Sequence, residues 1–159
     1  MADTKNIFIS HVHKDDNLLP KLKDLISRAG MNVRDGSIHS GKPNKAQNDD
    51  YIKREILAPQ IQWASTLVVL ITHDTAESSW VNWEIKEAVE QGKNVVGVFA
   101  QGATDADIPE ELRRCGDAAI VGWQGDRVVD AINGKIREWD KPESGAAREP
   151  EWLVTRYSC

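Results

Sequence analysis

Trp80 and Glu84 are the two side chains whose types and spacing best suit chemistry in this chain. They stand four residues apart near the start of a predicted helix, so they share one helix face about one turn apart. An indole can then wall one side of a carboxylate near the positive end of the helix dipole. Such a carboxylate can stabilise the cationic sugar that forms when a ribose loses a cationic base.

Cleavage of nicotinamide from NAD fits this chemistry. The pyridinium is already cationic, so it leaves without a general acid, and the indole of Trp80 can stack on a base or on the nicotinamide ring. We expect the helix dipole to keep Glu84 ionised although the pocket is partly dry. NAD is then a substrate, and we expect no cofactor.

Structural roles remain open for the same residues. Most glutamates in the first two turns of a helix serve the helix dipole and solvation. Trp80 and Trp83 could pack in the core and at its rim, which is the commoner fate of tryptophan.

Alternating strand and helix patterns predict the elements that position these residues. Short apolar runs predict strands at 6–10, 66–72, 94–100 and 118–123, and a weaker, polar pattern predicts a strand at 31–37. A helix should start near Asp16 or Asn17, which can cap it, with Pro20 in its first turn. Helical periodicity also predicts a helix over 79–91 and a closing helix over 126–139, with Trp139 facing inward.

This element order predicts an α/β fold with a flavodoxin-like, doubly wound, five-stranded parallel sheet and helices on both faces. Strand 31–37 is polar and suits a sheet edge, so the order 2-1-3-4-5 fits best. Ligands in such sheets bind beyond the carboxyl ends of the strands, where strands one and three diverge. The helix with Glu84 follows strand three, and polar residues at the same edge are Ser10, His11, Asp35, Ser37, Thr72, His73 and Asp74.

The composition divides the chain and excludes several classes of protein. We assign 1–140 to one domain and 141–159, which begins with a segment rich in proline and charge, to a linker and C-terminal tail. The net charge of −5 argues against nucleic-acid binding, and the longest apolar run is too short to span a membrane. The polar N-terminus shows no signal peptide, so we expect a cytoplasmic protein.

Other kinds of functional site require residues that this sequence lacks. The loop after the first strand lacks the glycines of a dinucleotide-binding turn, and strand five ends without the lysine of a phosphoacceptor domain. His11 and His13 could ligate a metal ion, but no Asp, Glu or Cys stands at a metal-motif spacing, so we expect no metal site. His11 is then a hydrogen-bond partner of the substrate or a turn residue.

The chain resembles the Toll/interleukin-1 receptor (TIR) family in its bacterial TIR-like branch. The resemblance covers roughly 6–123, and its most specific part is the motif Trp80-Val81-x-x-Glu84. The segment 80–98 is especially similar to the TIR subunit of the Thoeris antiphage defence system. The other matching segments are 7–11, 35–37, 51–56 and 64–71.

This resemblance implies an NAD nucleosidase or ADP-ribosyl cyclase with Glu84 as the catalytic glutamate and Trp80 beside the pocket. Phe8, Ser10 and the loop after Ser37 would help to form the substrate pocket. The product would be a signalling nucleotide, a cyclic or base-modified ADP-ribose, that activates a separate effector. Self-association through TIR contacts is also implied, and the alternative function is a non-catalytic TIR interaction module.

Overall fold

The computed structural model describes residues 4–35, 57–115, 118–136, 139–140 and 147–148. These residues form one sheet. Its strands are β1 Thr4–Ser10, β2 Asn32–Asp35, β3 Thr66–Ile71, β4 Asn94–Phe99, β5 Ala119–Val121, β6 Trp139–Asp140 and β7 Ala147–Arg148. The strand order is β2-β1-β3-β4-β5-β6-β7.

The first five strands confirm the predicted parallel sheet and its order. β1 pairs with β2 on one side and with β3 on the other, and β4 and β5 follow in sequence. All six residues of β3 are buried, as its unbroken apolar run predicts for a central strand. Two short strands extend the predicted sheet, because β6 pairs parallel to β5 and β7 pairs antiparallel to β6.

Helices cover both faces of the sheet, as the doubly wound pattern predicts. The helices are α1 Leu19–Arg28, α2 Ala58–Trp63, α3 Ser79–Glu90, α4 Glu110–Arg114 and α5 Gly125–Ile132. Short 3-10 turns at His13–Leu18, Thr75–Glu77 and Asp105–Asp107 precede three of these helices. One apolar cluster includes side chains from α2, α3 and α4, and the other includes side chains from α1 and α5.

The helix that carries Glu84 lies where its periodicity predicts. The Ser78 side chain caps α3 by accepting a hydrogen bond from the backbone nitrogen of Val81 at 3.2 Å. Gly92 follows the helix with φ of 73°, a conformation that stops helices and costs glycine little. Val81, Ile85 and Ala88 face the sheet with Glu84, so this carboxyl group is on the buried side of its helix.

The predicted cap of α1 is wrong. The chain first forms the 3-10 turn His13–Leu18, and α1 begins at Leu19 without a side-chain hydrogen bond at its cap. Pro20 lies in the first turn, as predicted. Asp16 is directed elsewhere, since its carboxylate meets His11.

The predicted closing helix is too long. α5 ends at Ile132. Gly134 follows with φ of 76°, a left-handed backbone conformation in which a helix stops. Trp139 is fully buried, as expected, but it lies in β6 opposite Ile120 and not on a helix.

Several predictions fall outside the described residues. Ser37 and the loop that follows it belong to this group, as does most of the predicted tail at 141–159. Among the residues that the model describes, no helix is long and apolar enough to cross a bilayer.

Candidate active site

Glu84 and Ser10 meet at the carboxyl edge of the sheet. Ser10 is the last residue of β1, is fully buried, and pairs in register with Val69 of β3. Its hydroxyl Oγ donates a hydrogen bond to Oε1 of Glu84 at 2.6 Å. The parallel pairing of β1 with β3, followed by the crossover into α3, therefore joins two side chains that are 74 positions apart.

The carboxyl group of Glu84 is held in a dry environment. The residue is 7% exposed, and burial raises the pKa of Glu84 from 4.5 to about 8, although the Ser10 hydrogen bond lowers the pKa in part. The expectation that the helix dipole keeps Glu84 ionised is therefore wrong for the ligand-free protein at neutral pH. Glu84 lies in the second turn of α3, where the dipole has already weakened and desolvation exceeds it.

Aromatic side chains lie on the same sheet face as this carboxyl group. Trp80 and Trp83, both in α3, are partly buried against the apolar cluster that contains Phe8. Phe8 is 1% exposed and points to the same face of the sheet as Ser10, because side chains alternate along a strand. One sheet face therefore carries Phe8, Ser10, Trp80 and Glu84, and the Trp80 side chain is partly exposed.

His11 is turned into the protein. Its side chain is 3% exposed, its Nδ1 lies 3.0 Å from the carbonyl oxygen of Ile9, and its Nε2 lies 2.5 Å from Oδ1 of Asp16. Both ring nitrogens therefore have partners within the protein. These contacts hold His11 in the turn after β1.

Polar residues at the same edge bind one another in ways that sequence reasoning missed. Thr72 Oγ1 donates to Oδ2 of Asp15 at 2.6 Å, and the Thr72 backbone nitrogen donates to Oγ1 of Thr75 at 2.8 Å. His73 Nδ1 lies 3.0 Å from Oδ2 of Asp107. The Thr72–Asp15 and His73–Asp107 contacts join segments that are distant in sequence, so local patterns carry no signal for them.

The predicted edge-strand residue Asp35 also has a structural role. Its carboxylate is 2% exposed, lies 3.0 Å from Nζ of Lys23, and accepts a 3.4 Å hydrogen bond from the Ile9 backbone nitrogen. Among the described residues, no group of three or more His, Cys, Asp or Glu side chains is placed to hold a metal ion.

The model of the family described as "Thoeris protein ThsB, TIR-like domain" matches residues 8–105. The chain belongs to this family. Membership in the ThsB TIR-like family suggests a role in antiphage defence. Phe8, Ser10, Trp80 and Glu84 all lie within the span that the family model matches.

Solved structures show distant likeness to this TIR-like domain. The TIR domains of the activated Roq1 resistosome are 18% identical, with a TM-score of 0.44 over 79% of this chain and 67% of that chain. A conserved protein from Enterococcus faecalis V583 is 16% identical, with a TM-score of 0.44 over 87% of this chain and 82% of its own. Scores this low carry no argument about function, and no curated protein matches the chain.

Proposed function

We propose that this TIR-like domain cleaves the bond between nicotinamide and ribose in NAD, with Glu84 as the catalytic carboxylate. The observation that carries the proposal is the buried contact between Ser10 and Glu84 at the carboxyl edge of the sheet. Binding clefts in this class of fold lie at that edge. The ion pairs between described residues do not include Glu84.

The dry setting of Glu84 strengthens its interaction with a cationic sugar. A carboxylate attracts an oxocarbenium-like ribose more strongly where water is excluded, because the local dielectric constant is low. Ser10 holds one carboxyl oxygen at 2.6 Å, which fixes the orientation of the group before the reaction. Trp80 is one turn away and can stack on a flat ring of the substrate.

Ionisation of Glu84 is coupled to binding in this mechanism. The pKa of Glu84 is about 8, so the group carries a proton at neutral pH. The pyridinium of NAD brings a positive charge, and a nearby positive charge lowers the pKa of a carboxyl group. Substrate binding therefore releases the proton and produces the carboxylate that the transition state needs.

The product in this proposal is a signalling ADP-ribose derivative, cyclic or base-modified, that activates a separate effector in antiphage defence. After nicotinamide leaves, the ribosyl cation is captured by the adenine of the same molecule or by a second acceptor. Self-association through TIR contacts belongs to the same proposal. Mass spectrometry of the reaction mixture identifies the product class directly.

The test is incubation of the purified full-length protein with NAD while free nicotinamide is measured by chromatography. We expect the wild type to release nicotinamide and Glu84→Gln to release it at least about 100-fold more slowly. A loss of this size is typical when a group that stabilises transition-state charge is removed. The matched control is Glu90→Gln, which makes the same change at an exposed position of the same helix and should keep the activity.

Assembly must be included in this test. Each reaction is repeated at high protein concentration and with a crowding agent, so that activity that depends on association is detected. Unchanged NAD under all these conditions would favour the non-catalytic interaction module. Equal activity in the wild type and Glu84→Gln would remove Glu84 from the mechanism.

A further inference from the structure

A cavity of about 250 Å³ lies at the carboxyl edge, on the sheet face opposite Glu84. Ala100 directly follows β4 and belongs to the apolar cluster under α1 and α5, whereas Phe8 and the helix of Glu84 belong to the other cluster. The cavity and the candidate active site are therefore on different faces of the same edge. The residues that line the cavity are Leu18, Lys21, Ala100, Gln101 and Trp123.

The Trp123 indole is presented to this cavity by a tight turn. The Gln124 backbone nitrogen donates to the carbonyl oxygen of Gly122 at 2.9 Å, which makes Trp123 the central residue of a three-residue turn. Part of the indole packs on the apolar cluster under α1 and α5, and the side chain remains partly exposed. An indole that packs on the protein and is still partly exposed can stack on the flat ring of a ligand.

The other lining side chains supply polarity and charge. Lys21 is exposed in the first turn of α1 and brings an ammonium group, while the amide of Gln101 can both donate and accept hydrogen bonds. Leu18 and Ala100 complete an apolar wall. An aromatic face, a cation and an amide around a small cavity together complement a flat ring that bears a negative charge.

We propose that this cavity is a second ligand site, separate from Glu84, for a small planar ring that carries an anionic group. The ring stacks on Trp123, the anion pairs with Lys21, and Gln101 hydrogen-bonds to the ring edge. The volume is below the usual range of about 300–1,000 Å³ for drug-sized ligands, which restricts the occupant to a mononucleotide or a smaller aromatic acid. The site does not depend on NAD cleavage by Glu84.

The experiment follows the indole N–H signals of the ¹⁵N-labelled full-length protein by NMR during titration with AMP and, separately, with benzoate. The chain has six tryptophans, and the signal that disappears in Trp123→Phe belongs to Trp123. Should that variant not fold, backbone assignment of the wild type identifies the same signal. We expect the Trp123 signal to move with both anions or with one of them, which distinguishes a nucleotide phosphate from an aromatic carboxylate.

Neutral ligands and charge variants complete the test. Adenosine and benzamide should need about tenfold higher concentration for the same shift, as should AMP with Lys21→Gln. Lys135→Gln removes an exposed charge elsewhere and should bind like the wild type, and Glu84→Gln should leave the Trp123 shift unchanged. A Trp123 signal that stays fixed at millimolar AMP and benzoate would overturn the proposal, as would equal affinity in Lys21→Gln and the wild type.

Discussion

Ser10 and Glu84 are joined by a 2.6 Å hydrogen bond that connects the end of the first strand to the helix after the third strand. The serine donates to a carboxyl group that is buried, with the whole residue only 7% exposed. This single contact fixes the orientation of Glu84 and opposes the effect of burial on the pKa of Glu84.

Glu84 should make the stability of the protein depend on pH. The pKa of Glu84 is about 8 in the folded protein and 4.5 in its ordinary state, so the folded chain binds more protons between these values. The free energy of unfolding therefore falls as pH rises from 4.5 to about 8. Urea unfolding should show Glu84→Gln equal to the wild type near pH 4.5 and more stable at pH 8.5 by on the order of 3 kcal/mol.

A parallel dependence on pH in the two proteins would contradict the buried, protonated state of Glu84. Glu90→Gln serves as the control, since Glu90 is exposed at the end of the same helix. Its unfolding curves should follow those of the wild type at both pH values.

Removal of the Ser10 hydroxyl should shift the pH dependence of NAD cleavage. The pH profile of kcat/KM reports ionisation in the free enzyme, so it should rise with pH and level off above about 8. Ser10 lowers the pKa of Glu84, so Ser10→Ala should raise that pKa and move the rising limb to higher pH. Steady-state rates between pH 6 and 9.5 measure the shift.

Ser65→Ala is the matched control for this profile. Ser65 is exposed, and its hydroxyl donates to the carbonyl oxygen of Asn6. Its profile should coincide with that of the wild type. If the limb stays in place in Ser10→Ala, the group that titrates is not Glu84.

Gly125→Ala should destabilise the fold although alanine favours helices. A Cβ at Gly125 would lie 2.8 Å from the backbone oxygen of Leu25 and 3.0 Å from Cβ of Ala29, so α1 and α5 would have to separate. We expect a loss of about 1–3 kcal/mol in urea unfolding. Ser27→Ala, at an exposed position of α1, should be neutral or slightly stabilising. A gain in stability for Gly125→Ala would show that the two helices are further apart than this.

Two tryptophans that differ in exposure test how much burial contributes to stability. Trp139 is fully buried in β6, so Trp139→Ala should cost about 3–5 kcal/mol. Trp63 is 38% exposed, and its ring lies 5.6 Å from the guanidinium carbon of Arg34. Trp63→Ala should therefore cost only about 1 kcal/mol. Urea unfolding of both variants measures the loss of unfolding free energy. Similar losses in the two variants would show that Trp139 is not in the core.

The order of the sheet and the place of α3 could be predicted from the sequence because both depend on local patterns. The unbroken apolar run of β3 indicates burial on both faces, and the polar β2 indicates an edge. Trp80 and Glu84 are four residues apart on a helix, so their shared face follows from helix geometry. These features need no knowledge of distant contacts.

Other features depend on contacts that no local pattern records. Ile132, Ile136 and Trp139 keep helical spacing, so periodicity extends α5 past Gly134, where the backbone leaves the helical region. The contact between His11 and Asp16 within the turn is one such feature, and the role of His11 toward substrate stays a prediction. The protonation of Glu84 is set by burial, which the position of a residue on a helix does not reveal.

The two short strands after β5 determine which backbone groups this edge of the sheet presents to another molecule. β5 is covered by β6, and the described margin beyond it consists of strands only two residues long. Very short border strands present too few backbone groups to template a strand from another molecule. Where the described residues form this border, another molecule meets few free backbone groups, so we expect side chains to supply most of any contact on this side.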